Sequence, residues 1–97
     1  MIRHVVVFTW LPEATDEQKQ RVSTELAALP GLIPQVHDYK FGADHGIGAG
    51  NADFAVTADF DDLAAYQVYR DHPAHQHVIA ETIRPIVATR AAVQIEI

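Results

Sequence analysis

Residues 3–10 (RHVVVFTW) constrain this chain more than any other stretch. β-branched and aromatic residues follow one another with no turn former among them, which predicts a strand. Alternation sorts them onto two faces, His4, Val6, Phe8 and Trp10 on one and Arg3, Val5, Val7 and Thr9 on the other, and both are largely apolar. A strand of that kind expects cover on both sides. Helices of the same chain can cover one side of a sheet, so something else must cover the second.

The remaining pattern supplies the helices. Leu11-Pro12 ends the first strand. Thr15, with Gln18 three residues on, forms a capping-box signature, and Val22, Leu26 and Leu29 follow at i, i+4 and i+7 as one helical stripe. Pro30-Gly31 is expected to stop that helix. A second strand is expected over residues 36–41, with His37, Tyr39 and Phe41 on one face and Val36, Asp38 and Lys40 on the other. Residues 42–51 hold four of the five glycines and read as a loop. A third strand is expected over 53–60, with Phe54, Val56, Ala58 and Phe60 facing one way. Asp61 or Asp62 would cap a helix to about Tyr69, and Asp71-His72-Pro73 would interrupt it. Pro73 suits the first position of another helix with His72 near its cap. That helix would end near Arg84-Pro85, and residues 90–97 would form the last strand. The order is βαββαβ with a split second crossover. It predicts a single α+β domain over residues 1–97, ferredoxin-like, with a four-stranded antiparallel sheet and helices on one face.

A second copy, packed sheet against sheet about a two-fold axis, is the simplest cover for the other face. Burying several hundred Å² of apolar surface on each copy is worth on the order of 10 kcal/mol before association costs. The alternative is a monomer whose loop 42–52 folds across that face. The expectation is a homodimer, a dimeric α+β barrel.

Composition removes several functions. Seven Lys and Arg stand against thirteen Asp and Glu, a formal charge of −6. The cations are scattered rather than gathered into a stripe, so neither nucleic acid nor an anionic membrane is expected as a partner. Cysteine is absent, which excludes a disulfide framework, a thiolate metal site and a cysteine nucleophile. No apolar run reaches the ~20 residues of a membrane span, and residues 1–10 lack a signal-peptide layout. A cytoplasmic protein is the expectation.

Six histidines remain, and residues 69–77 (YRDHPAHQH) are the most informative segment. After Pro73, His75 falls on a stripe with Val78, Ile79, Thr82 and Ile86, while His77 sits with Glu81 and Arg84 on a polar face. Three readings stay open for this cluster. His72 and His75 could converge on a metal, though no third ligand joins them. His75 could be an inward imidazole satisfied by a backbone carbonyl, with Tyr69 as ordinary packing. Or His75 could carry a proton, its unperturbed pKa lying near neutrality, with Tyr69 giving a phenolic O–H to a developing oxyanion. His4 is either a strand-edge residue or part of the same pocket. Asp53 and Asp59 lie about 20 Å apart along a strand, too far to act as a pair. The glycines at 46, 48 and 50 precede a strand with no Lys-Ser/Thr and read as a flexible rim, not a phosphate cradle.

The opening I-R-H-V-V-V-F, the strand N-A-D-F-A-V-T-A-D-F and the segment Y-x-x-Y-R-D-H-P-A-H resemble, over nearly the whole chain, the stress-responsive α/β-barrel domain family, also called Dabb. The resemblance implies a ferredoxin-like fold and a dimeric α+β barrel. The family includes a plant enzyme that closes a linear polyketide by aldol condensation without a cofactor. Its catalytic histidine and tyrosine match His75 and Tyr69, and its strand-one histidine matches His4. A further pocket histidine aligns with Phe54, a departure that separates the substrates.

From the residues and the resemblance together, the expected site is an apolar pocket in each subunit. His75 and Tyr69 would be catalytic, and His4, His72, Phe8, Phe54, Val78 and Ile79 would bind the ligand, without metal or other cofactor. The ligand would be a small apolar carbonyl or phenolic compound, and the reaction a cyclisation or isomerisation by proton transfer beside a carbonyl. A non-catalytic stress-response or assembly dimer and a cofactor-free monooxygenase on the same fold are the alternatives.

Overall fold

A computed structural model describes residues 1–97. Four strands, β1 (Ile2–Trp10), β2 (His37–Ala43), β3 (Phe54–Phe60) and β4 (Val87–Glu96), form one sheet in the order β2-β3-β1-β4, every neighbouring pair antiparallel. Helices α1 (Asp16–Leu32), α2 (Leu63–Asp71) and α3 (Pro73–Val78) follow β1 and β3, and α3 runs into a single π-helical turn, Ile79–Ile83. This is the ferredoxin-like fold with a split second crossover. No helix is long and apolar enough to cross a membrane.

Thr15 caps α1 as its sequence predicts: its Oγ1 accepts from the Gln18 amide at 3.1 Å while the Gln18 side chain accepts from the Thr15 amide at 2.9 Å. Val22, Leu26 and Leu29 are buried against the sheet, each worth about 1.5–3 kcal/mol of apolar burial. The helix does not stop at Pro30-Gly31. Proline there removes only one amide from the last turn, and the Ile33 amide still closes on the Leu29 carbonyl at 2.9 Å. Ile33, fully buried, anchors the exit.

The faces of β2 also differ from simple alternation. Asp38 sits at φ 48°, and the register against β3 slips by one residue between His37 and Lys40, a β-bulge. The slip puts Val36, buried, on the side of Tyr39 and Phe41. His37 is turned to the opposite face, where it sits 3.2 Å from Asp61. β4 begins three residues earlier than expected, at Val87.

The helix-side face of the sheet carries the core: Val6, Phe8 and Trp10 of β1 and Phe54, Val56, Ala58 and Phe60 of β3, under α1 and the crossover. On the other face Val5 pairs with Val93 and Val7 with Ala91, and no helix covers them. Val93 and Ile95 are 52% and 45% exposed. Arg3 clamps Asp59 on this face through two bonds of 2.7 and 2.8 Å, which holds the Asp59 carboxyl below its usual range. Asp53 instead accepts from the Trp10 amide at 2.8 Å where β1 meets its own register shift.

Candidate functional site

The break between α2 and α3 builds the site. Proline at 73 cannot extend α2 and biases the preceding residue away from the helical region; His72 is extended, at ψ 135°. The chain turns, and His72 Nδ1 accepts from the Ala74 amide at 3.0 Å, capping α3. The last carbonyls of α2 are left without helical partners. One of them, that of Arg70, is bonded by His75 Nδ1 at 3.0 Å and by the Gln76 side-chain amide. A carbonyl only accepts, so His75 Nδ1 carries the proton and Nε2 is the bare, basic nitrogen. Desolvation is the main influence on this imidazole and holds its pKa below the ordinary histidine value despite the Arg70 bond. His75 is neutral at pH 7.

His75 stacks against Tyr69, ring centroids 4.1 Å apart. Tyr69 is 2% exposed, and its hydroxyl shares a 2.9 Å hydrogen bond with that of Tyr39. Burial pushes Tyr39 up to about 12 and Tyr69 higher still, so both phenols stay protonated donors. Opposite them, on β1, His4 is 4% exposed, its ring 6.1 Å from that of Tyr69 and 5.1 Å from that of Tyr66. The Gln94 amide of β4 donates to His4 Nδ1 at 2.9 Å, which leaves Nε2 as this ring's N–H. Desolvation first, then the charges of Arg90 and His75, lower His4 to about 4. The two imidazoles are therefore neutral in opposite tautomers, one with a free base and one with a free donor.

His4, Tyr66, Tyr69 and His75 border a hollow of about 140 Å³ between sheet and helices, lined on its apolar side by Val6, Phe8, Val56, Leu26, Ile79 and Ile83. The π turn, closed by the Arg84 amide on the Ile79 carbonyl, brings Ile79 and Ile83 to the same hollow. Single π turns of this kind recur at functional sites. An engineered cavity of about 150 Å³ holds a benzene ring, so this one takes a ring-sized body.

Of the residues expected at the pocket, His4, Phe8, Tyr69, His75 and Ile79 line the hollow. Three others lie elsewhere. His72 spends its ring on the α3 cap, Phe54 packs between Trp10 and Phe41, and Val78 is buried in the core. Tyr66, Arg70 and Arg90 line the hollow without having been expected there. Tyr66 is three residues before Tyr69 on α2, a spacing that places both on one face. Arg90 stands opposite Phe8 in the β1–β4 register, a neighbour only strand pairing reveals. A wider, open groove of about 460 Å³ lies between α1 and the start of β3, beside Asp16, Lys19, Asp44 and Asp53. It holds no imidazole or phenol, and Asp53 is already bonded to Trp10.

Residues 2–97 match the model of the stress responsive A/B barrel domain. An uncharacterized protein of Streptomyces coelicolor is 34% identical over 86 residues, which cover 82% of this chain and 84% of that protein. The crystal structure of a dimeric ferredoxin-like protein of unknown function from Thermobifida fusca superposes with a TM-score of 0.92 at 45% identity, over 99% of this chain and 90% of that one. Hydroxynitrile lyase from Passiflora edulis shares the fold, with a TM-score of 0.87 at 18% identity over 99% and 92% of the two chains. With the family model spanning all but the first residue, this chain belongs to the stress-responsive A/B barrel (Dabb) domain family.

Proposed function

We propose that the protein is a cytoplasmic homodimer, one such domain per chain, whose hollow binds a small carbonyl compound and moves a proton beside the carbonyl without a cofactor. The observation that carries this reading is the bond from His75 Nδ1 to the Arg70 carbonyl, which fixes the imidazole as a base. His75 Nε2 removes a proton from the carbon next to the carbonyl. The negative charge that develops on oxygen is taken by the O–H of Tyr69 and the N–H of His4, donors already in place before reaction. His75 then returns the proton to the same or another carbon, giving isomerisation, or the enolate carbon attacks a second carbonyl and His75 returns the proton to the alkoxide so formed, an aldol closure. The dimeric Thermobifida fusca relative and the uncovered apolar face of the sheet support the homodimer. The Passiflora edulis lyase is an instance of an enzyme on this fold.

Exchange of the α-protons of cyclohexanone in D₂O, followed by NMR, tests the reading with a ring-sized ketone. The protein should accelerate exchange above buffer, and His75→Ala should remove about 10²–10⁴ of the rate while the fold is retained. An unchanged rate in that variant would overturn the assignment. One observation favours a second reading, a non-catalytic assembly: 140 Å³ is smaller than the ~300–1,000 Å³ of most ligand pockets. No exchange above buffer with any small ketone would favour it.

A further inference from the structure

The charge around the hollow is unbalanced. Two guanidiniums line it, those of Arg70 and Arg90. Arg70 is committed to Asp71, Nε to Oδ1 at 2.9 Å and Nη2 to Oδ2 at 3.0 Å. Arg90 has no acidic partner. It sits on the edge strand β4, opposite Phe8, with its side chain exposed at the rim and the apolar lining behind it. Its charge is felt by both imidazoles, disfavouring a proton on His4 and on His75 alike. Asp71 is the sole acid acting on His75, and Arg70 already neutralises it. A chain of net charge −6 thus keeps one uncompensated cation at the mouth of a largely apolar hollow.

We infer that the ligand of this hollow is a small carboxylate, its ring-sized apolar body inside and its carboxylate paired with Arg90 at the rim. This deepens the proposed function and rests on the hollow being the ligand site: the substrate class becomes carbonyl acids rather than neutral ketones. The size fits, since a benzene-like body fills about 150 Å³ and the charged head stays in the wetter mouth, where ion pairing avoids the full cost of desolvation. A planar guanidinium grips a carboxylate through two parallel bonds. Neutral imidazoles at the inner end leave the carbonyl to be polarised by N–H and O–H donors alone.

The test titrates the full-length protein with sodium benzoate and, separately, with benzamide, its uncharged isostere, reading the ring-proton signals of His4 and His75 at low salt. Benzoate should bind about tenfold tighter than benzamide. The preference should disappear in Arg90→Gln, return in part in Arg90→Lys, and survive Lys19→Gln, a cation away from the hollow. The Arg90 side chain is exposed and makes no hydrogen bond or ion pair within the fold, so the amide spectrum of Arg90→Gln should remain native-like. Equal affinity for the two probes, a preference unchanged by Arg90→Gln, or imidazole signals that benzoate does not move would each overturn the inference. Its failure is separable from that of the proton-transfer reading. Arg90-dependent benzoate binding without α-proton exchange in either cyclohexanone or 4-oxocyclohexanecarboxylate leaves the inference standing and removes the chemistry, and exchange without carboxylate preference does the reverse.

Discussion

His75 lies over Tyr69 with ring centroids 4.1 Å apart and planes 33° from parallel, the imidazole carried by α3 and the phenol by α2. The contact exists because the two helices are separate. Had α2 continued through position 73, residues six apart would lie on different faces of one cylinder. The break also supplies the orphan carbonyl of Arg70 that selects the tautomer of His75.

That tautomer has a pH signature. Desolvation holds His75 below the usual value of 6.5, so a reaction using its free nitrogen as base should be flat with pH through neutrality. It should fall only on the acid side, where the ring becomes protonated. A rate profile of ketone exchange between about pH 4 and pH 8 checks this. ¹⁵N spectra of the histidine rings at pH 7 should show the proton of His75 on Nδ1.

His4 should make the protein acid-sensitive. Its folded pKa is lowered to about 4 from the ordinary histidine value of 6.5. Above pH 6.5 the ring is neutral in both folded and unfolded chains and contributes no pH dependence. As pH falls from 6.5 towards 4 the unfolded chain binds a proton that the folded one refuses, and stability declines. The loss should be on the order of 2 kcal/mol, less than the full shift implies because the hollow beside the ring admits some screening. Urea midpoints across that window measure it, and His4→Gln should flatten the slope.

The hydroxyls of Tyr39 and Tyr69 depend on each other, 2.9 Å apart in a setting that strips away water. Tyr69→Phe or Tyr39→Phe alone should cost about 1–2 kcal/mol, because the surviving hydroxyl loses its partner. The double variant should cost less than the sum of the two, since nothing is then left unpaired. Equilibrium denaturation of the four proteins completes the cycle.

Association should fail when the open face is charged. Val5 lies opposite Val93 at the centre of that face. Val5→Asp should lower the dimer affinity by at least about 100-fold, the consequence of burying an unpaired charge. Sedimentation at micromolar concentration should then return a species of 10.7 kDa in place of one twice that mass. Arg3→Ala reports on the same face differently: it exposes the Asp59 carboxyl to which Arg3 is clamped.

Much of this was legible in the residues. The capping box at Thr15 and Gln18, the stripe Val22, Leu26, Leu29 and the break at His72-Pro73 are local signals, each set by chemistry within a few positions. The juxtaposition of Tyr69 and His75 follows from that break together with the family resemblance. What alternation alone could not deliver was the face of His37, because a bulge at Asp38 reverses it and nothing in an isolated strand announces a bulge. Pro30 misled for a related reason: a proline in a last turn forfeits one bond, and burial of Ile33 outweighs it. Arg90 and Gln94 were invisible as site residues because their places are set by register with β1, a pairing between positions about ninety residues apart.

Gln94 and Arg90 both belong to β4, one of the two outer strands, which within the chain pairs only with β1. The hydrogen bond that orients one imidazole and the free cation at the rim are thus mounted on a strand that, within the chain, is paired along one side alone. Whatever grips Arg90 also pins β4 to the sheet, and loss of β4 from the sheet dismantles one wall of the hollow. Occupancy of the site and hydrogen-exchange protection of residues 90–96 should rise and fall together.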